Sequence, residues 1–188
     1  MAKKRILHDV TDGSFRWIDA DVVERAMLPL GAPLPDEYYR AIGRITVNFS
    51  VLEGAVAQCV GQLLSNDQGF AQVVTSELSF KLTMTILHGL VKRQLPDKEK
   101  RKPIDDVLNR ARAAEDKRNM IIHSEWSPKG AEGRITRIKF TAKVKRGLQH
   151  KFDEMSAEDL ESIADEIRQI YCDLKMLFCP PDIKCQPS

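Results

Sequence analysis

DEYYRAIGRITVNFSVLEGAVAQCVGQLL, residues 36–64, is the stretch that decides the fold class. Within it Ile42, Ile45, Phe49, Leu52, Val56, Cys59, Val60 and Leu63 recur at steps of three and four, which lines one face of an α-helix. Gly43, Gly54 and Gly61 lie inside the same run, and each costs about 1 kcal/mol relative to Ala in a helix. Glycines tolerated at that cost point to close approach by another helix. Glu53 stands on the apolar face, between Phe49 and Val56.

Helical periodicity continues downstream. A second helix is expected over residues 72–94, with Val74, Leu78, Leu82, Ile86, Leu90 and Val91 facing inward and Leu95-Pro96-Asp97 ending it. A third is expected to start near Lys102-Pro103, because proline suits a first turn. Its stripe is Ile104, Val107, Leu108, Ala111, Ala114 and Ile121 or Ile122. A fourth follows Ser156-Ala157-Glu158-Asp159, which has the form of a capping box. Leu160, Ile163, Ile167, Ile170, Tyr171, Leu174 and Leu177 give it a core face, and Cys179-Pro180-Pro181 stops it.

Between the third and fourth helices the period changes to two. Thr136, Ile138, Phe140, Ala142 and Val144 alternate with Arg137, Lys139, Thr141, Lys143 and Lys145, as in a strand with one apolar and one basic face. Its partner is either the stretch around residues 123–127 or a second strand near residues 148–152. Residues 1–35 are broken by Gly13, Pro29, Gly31, Pro33 and Pro35, leaving room for a short helix around residues 20–27. The expected fold is mainly α: a lead-in over 1–35, a four-helix domain over 36–178 with a small β-hairpin inserted at about 124–152, and an irregular tail over 179–188.

Composition narrows the function. The chain has 188 residues, 43% of them hydrophobic and 30% charged, which suits one ordinary globular domain. A net charge of +2 carries no strong basic excess of the kind that announces a nucleic-acid binder. No apolar run follows the basic start Lys3-Lys4-Arg5, and no window is long enough to span a membrane, so neither a signal peptide nor a membrane location is expected. Cys59, Cys172, Cys179 and Cys185 form no metal-ligand spacing and read as reduced cytoplasmic thiols. Cys172 and Cys179, seven apart, share a helix face and are expected to fill core. His8, His88 and His150 are isolated. No metal or cofactor motif is present.

One hexapeptide looks like chemistry: Arg118-Asn119-Met120-Ile121-Ile122-His123. Arginine is a permanent cation whose fork matches phosphate oxygens, and histidine shuttles protons near neutral pH. Together they supply what RNA cleavage without a metal needs: a proton handler and a stabiliser of the charged phosphorane. Arg118 lies seven residues after Ala111, near the buried stripe, where a charge should be paired or line a cleft. Glu53 and Glu115 are the candidate partners. A purely structural reading has Arg118 in a buried ion pair and His123 capping a helix C-terminus. In one unbroken helix, residues five apart point about 140° away from each other. A shared site therefore requires the helix to end near His123, or a second subunit.

Arg-Asn-x-x-x-His at the end of a long helix, followed by Trp126, resembles the RX4-6H signature of the HEPN superfamily. Phe49-Ser50-Val51-Leu52-Glu53, Leu78-Ser79-Phe80-Lys81 and a last helix entered through Ser156 extend the likeness, in order, over residues 36–178. The resemblance implies an antiparallel four-helix bundle, a homodimer with two motifs facing across a cleft, and a metal-independent endoribonuclease of toxin–antitoxin or phage-defence type. Carried over, Arg118 and His123 would be catalytic and Asn119 would orient or bind, with Trp126 at the lip of the site. A protein antitoxin or other partner is implied as well. Members inactivated by nucleotidylation have a tyrosine where Glu125 stands, so that control does not carry over. The alternative reading is a non-catalytic HEPN-like module that binds RNA, a nucleotide or a protein.

The basic face of the strand, with Arg137, Lys139, Lys143 and Lys145, could track an RNA backbone. It could also be a solvated edge, or pair with the acidic start of the last helix.

Overall fold

The apolar repeat over residues 36–64 forms one helix, α1 (Asp36–Leu64), in the computed structural model. The structure describes residues 5–10, 14–19, 32–65, 68–128, 130, 134–143 and 147–178. The expected helix at 20–27 and the expected tail at 179–188 lie outside them. Four more helices follow: α2 (Gln68–Thr75), α3 (Phe80–Gln94), α4 (Lys98–Ile122) and α5 (Ala157–Phe178). The chain divides into two compact units, residues 1–41 with 120–160, and residues 42–119 with 161–188.

In the second unit, α1, α3, α4 and α5 each bury an apolar stripe. Ile45, Phe49, Leu52 and Val56 come from α1, Phe80, Met84, Leu87 and Val91 from α3, Val107, Leu108, Ala111 and Ala114 from α4, and Ala164, Ile167, Ile170 and Leu174 from α5. Polar contacts give the helix directions. Phe49 lies on Phe80 at the start of α3, with ring centroids 4.9 Å apart, and the Leu63 carbonyl accepts from Gln94 Nε2 at its end (3.1 Å). So α1 and α3 run the same way. Arg44 pairs with Glu161 and Asp165, Asn48 Nδ2 donates to the Ala164 carbonyl (2.8 Å), and Lys175 reaches Gln58 (3.5 Å), so α5 is parallel to α1 too. Only α4 opposes them: Arg110 pairs with Asp173 (2.6 Å) and Lys117 with Glu166 (2.5 Å), and His88 meets Asp105 (3.1 Å).

The all-antiparallel arrangement is therefore not what forms, and the reason is a break that the 72–94 reading missed. Ser79 caps α3, its hydroxyl accepting from the Leu82 amide (3.3 Å), and separates α3 from α2. Phe80 accordingly stands beside Phe49, about 21 Å back along α1 from Leu63, at 1.5 Å per residue of helix. The buried face of α3 differs as well. Phe80, Thr83, Met84, Leu87 and Val91 point inward, while Leu82 is 47% exposed. Both faces of α3 are apolar, and the ring of Phe49 selects which one is covered.

Two smaller corrections concern α4 and α1. The α4 helix starts a turn earlier than Pro103, at Asp97, whose Oδ1 accepts from the Glu99 amide (2.9 Å). Gly43 and Gly54 are exposed, with nothing within 4 Å of a Cβ placed there, so no helix approaches them; Gly61 is buried. Cys172 is exposed rather than in the core.

The first unit holds the strands. β1 (Arg5–Val10) and β2 (Ser14–Asp19) form an antiparallel hairpin where the sequence reading had none. β3 (Glu125–Ser127), β4 (Ile135–Lys143) and β5 (Gly147–Met155) form an antiparallel sheet with β4 in the middle. Both candidate partners of the basic strand are thus used, one on each edge, so the insertion is three strands rather than a hairpin. A Cβ on Gly130 would fall 2.2 Å from the Arg134 carbonyl oxygen, which keeps that position glycine. The capping box at Ser156 is complete: Ser156 Oγ accepts from the Asp159 amide (3.1 Å) and Asp159 Oδ2 from the Ser156 amide (2.9 Å). No helix among the described residues is long and apolar enough to cross a membrane.

Candidate active site

In the second unit, Arg118 is half-buried near the end of α4. Its guanidinium carbon sits 4.9 Å from the centroid of the Phe49 ring, a cation–π distance. Phe49 is itself 2% exposed and is wedged by the tilted ring of Phe80. Arg118 Nη1 donates to Asn119 Oδ1 (2.7 Å), while its Nε is buried without a hydrogen-bond partner. Asn119 therefore gives one guanidinium nitrogen a neutral acceptor on the next residue.

The expected acidic partners do not neutralise Arg118. Glu53 is exposed, not buried on the apolar face. Glu115 is half-buried one turn before Arg118 and makes no ion pair with it among the described residues. Burial pushes the Glu115 carboxyl above the usual range; Asp116 and Glu53 add to this, and Lys81 and Arg118 oppose it. The acids of α5 are taken by other cations, Glu161 and Asp165 by Arg44, Glu166 by Lys117 and Asp173 by Arg110. Among the described residues Arg118 thus forms no ion pair: a phenyl ring and an amide are its close partners, and the Glu115 carboxylate acts on it only at longer range.

In the first unit, α4 ends at Ile122 and His123 lies exposed in the turn that follows. The 140° separation of an unbroken helix accordingly does not govern His123. The turn is anchored on both sides. The Met120 carbonyl accepts from Ser124 Oγ (2.5 Å) and from Arg137 Nη1 (3.5 Å). The Ile121 carbonyl accepts from the Ser124 amide (3.4 Å) and from Trp126 Nε1 (3.2 Å). These donors satisfy carbonyls that any helix C-terminus leaves open. Trp126, half-buried, is thus tied to the turn through its indole N–H.

Arg137 is the clearest departure from the sequence reading. It is 1% exposed and does not face solvent on a basic strand face. Directly opposite it on β5 is Asp153, which its Nη2 reaches; its Nη1 also donates to Ser124 Oγ (3.0 Å). Ile135, Thr136 and Ile138 are buried as well, because the start of β4 is a middle strand covered on both faces. Lys139 is half-buried. Lys143 lies on β4 with its side chain outside the described residues, and Lys145 lies outside them entirely. Ser124 and Asp153 were not singled out as functional from sequence, and Phe49 and Phe80 stood in the segments that carry the resemblance with no functional role of their own.

His88 is held by Asp105 and faces Arg112 Nη2 through Nδ1 (3.5 Å), which is a satisfied interior histidine. Among the described residues no group of three or more His, Cys, Asp or Glu side chains is placed to hold a metal ion. No family model, no curated protein and no solved structure matches this chain.

Proposed function

We propose that this chain is a cytoplasmic HEPN-type endoribonuclease that cleaves RNA without a metal, as a homodimer with paired Arg118/His123 motifs. The observation that carries the reading is the half-buried guanidinium of Arg118, held against Phe49 and Asn119 and in no ion pair among the described residues. A cation in that state is suited to a phosphate oxyanion. His123 takes the proton from a ribose 2′-hydroxyl or gives one to the departing 5′-oxygen. The 2′-oxygen attacks phosphorus, the bond to the 5′-oxygen breaks, and the products carry a 2′,3′-cyclic phosphate and a 5′-hydroxyl. Arg118 stabilises the phosphorane between them. Lys139, Lys143 and Lys145 remain candidates for the RNA backbone; Arg137, spent on Asp153, does not. The resemblance places such an enzyme in toxin–antitoxin or phage-defence systems, with an antitoxin as its protein partner.

The test is RNA incubated with purified protein in chelator, beside His123→Ala. Cleavage by the parent and loss in the variant, with unchanged melting temperature because His123 is exposed, is the expected outcome. Absence of cleavage by both proteins across several RNAs overturns it, as does a monomer in sedimentation.

One observation favours a second reading, a non-catalytic HEPN-like binding module. The stacking of Arg118 on Phe49 also serves packing, and a structural arginine would look the same. A large fall in melting temperature for Arg118→Ala, in a protein that cleaves nothing, would select this reading.

A further inference from the structure

We infer that Phe49 is a positioning residue: its ring holds the Arg118 guanidinium so that the terminal edge, Nη1 and Nη2, is the edge offered to a phosphate. The inference rests on the phosphate-binding role proposed above and adds which edge binds and what aims it. A guanidinium can take a phosphate side-on, through Nε and one Nη, or end-on, through both Nη. Here the side-on edge is closed, because Nε is buried with no partner. The Phe49 ring lies under the group, its centroid 4.9 Å from Cζ, and closes approach from that side. Asn119 occupies one hydrogen of Nη1, leaving the others of Nη1 and Nη2. Phe49 cannot shift to release the group, since it is 2% exposed and braced by Phe80 at 4.9 Å. A single arginine with four rotatable bonds is thereby reduced to one orientation before any anion arrives, and preorganisation of that kind strengthens binding.

The experiment uses the whole protein and inorganic phosphate as probe, with Phe49→Leu, Phe49→Tyr and, as a control of matched burial, Phe80→Leu. Binding is followed by NMR of the arginine Nε–H resonances and by calorimetry. In the parent, the Arg118 Nε–H signal should persist because Nε is buried, and phosphate affinity should depend on Arg118. Phe49→Leu should weaken phosphate about tenfold, the scale of a desolvated cation–π contact, and broaden the Nε–H signal. Phe49→Tyr should restore both. Phe80→Leu, matched in lost packing, should weaken phosphate less than Phe49→Leu does. Equal losses for Phe49→Leu and Phe80→Leu would reduce Phe49 to ordinary core, and unchanged affinity in a folded Phe49→Leu protein would overturn the inference. The RNA assay separates the two readings. A protein that binds phosphate through this arrangement but cleaves no RNA loses the ribonuclease reading and keeps the platform. A protein that cleaves RNA with kcat and KM indifferent to Phe49→Leu loses the platform and keeps the activity.

Discussion

Arg118 and Arg137 look alike in the sequence and end in opposite states. Each is an arginine on a periodic apolar element, and each keeps its Nε buried without a partner. Arg137, in the first unit, has its charge met by Asp153 and its donors taken by Ser124 and the Met120 carbonyl. Arg118, in the second, has a phenyl ring and a neutral amide. The difference teaches that burial alone does not mark an arginine as structural or functional. What matters is whether a carboxylate has already cancelled the charge, since a cancelled charge offers little to a phosphate and an uncancelled one offers a great deal.

The contrast can be broken or sharpened by substitution. Arg137→Ala should have the largest effect, about 3 kcal/mol of unfolding free energy in urea denaturation, because it takes the buried cation from Asp153 and uncaps the end of α4. That figure sits at the low end for a buried pair because Asp153 is 36% exposed and can turn to water. A loss under 1 kcal/mol would mean that Arg137 is not a keystone. Arg118→Ala should cost about 1 kcal/mol, the scale of a partly desolvated cation–π contact, while abolishing RNA cleavage. Equal destabilisation by the two substitutions would erase the distinction.

Carboxylates in the second unit extend the comparison to pH. Hydrogen bonds from Arg110 and Gln169 hold Asp173 below the usual range; in Asp105, burial pushes up but Arg101 and His88 outweigh it and bring the carboxyl low. Such groups stabilise the fold above their unfolded value of about 3.9, and that contribution is lost as the pH falls through their lower folded values. Asp173→Asn should therefore flatten acid unfolding below about pH 4. Glu115 has the opposite sign. Its folded proton affinity is raised, so its contribution is present at low pH and lost as the pH rises past the folded value. Glu115→Gln should raise the melting temperature slightly at neutral pH, and the gain should vanish below about pH 4. A lower melting temperature at neutral pH would show that Glu115 supports Arg118 after all.

Much of the secondary structure was legible in residue spacing. The α1 helix begins and ends where the repeat over residues 36–64 does, and the capping box at Ser156 sits where its residues fall. The β1–β2 hairpin was missed although Asp12-Gly13 is a turn dipeptide, because Ile6, His8 and Val10 alternate too briefly to compete with the nearby glycine and prolines. The helix over 72–94 was misread because Leu78, Leu82, Ile86 and Leu90 make a convincing stripe of their own. At the candidate site, Arg118, Asn119 and His123 could be read directly, and so could the need for α4 to stop near His123. The phenyl ring under Arg118 could not.

The sequence by itself determined the extent of α1 and the capped start of α5, because period and caps act over a few neighbouring residues. It also placed an arginine and a histidine at the end of one long helix. Tertiary structure alone decided that α3 runs with α1, that its Phe80 face rather than its Leu82 face is covered, and that Asp153 pairs with Arg137 while among the described residues no acid forms an ion pair with Arg118. Those outcomes depend on which surfaces meet across the chain, and a charge is cancelled or left available only by the group packed against it.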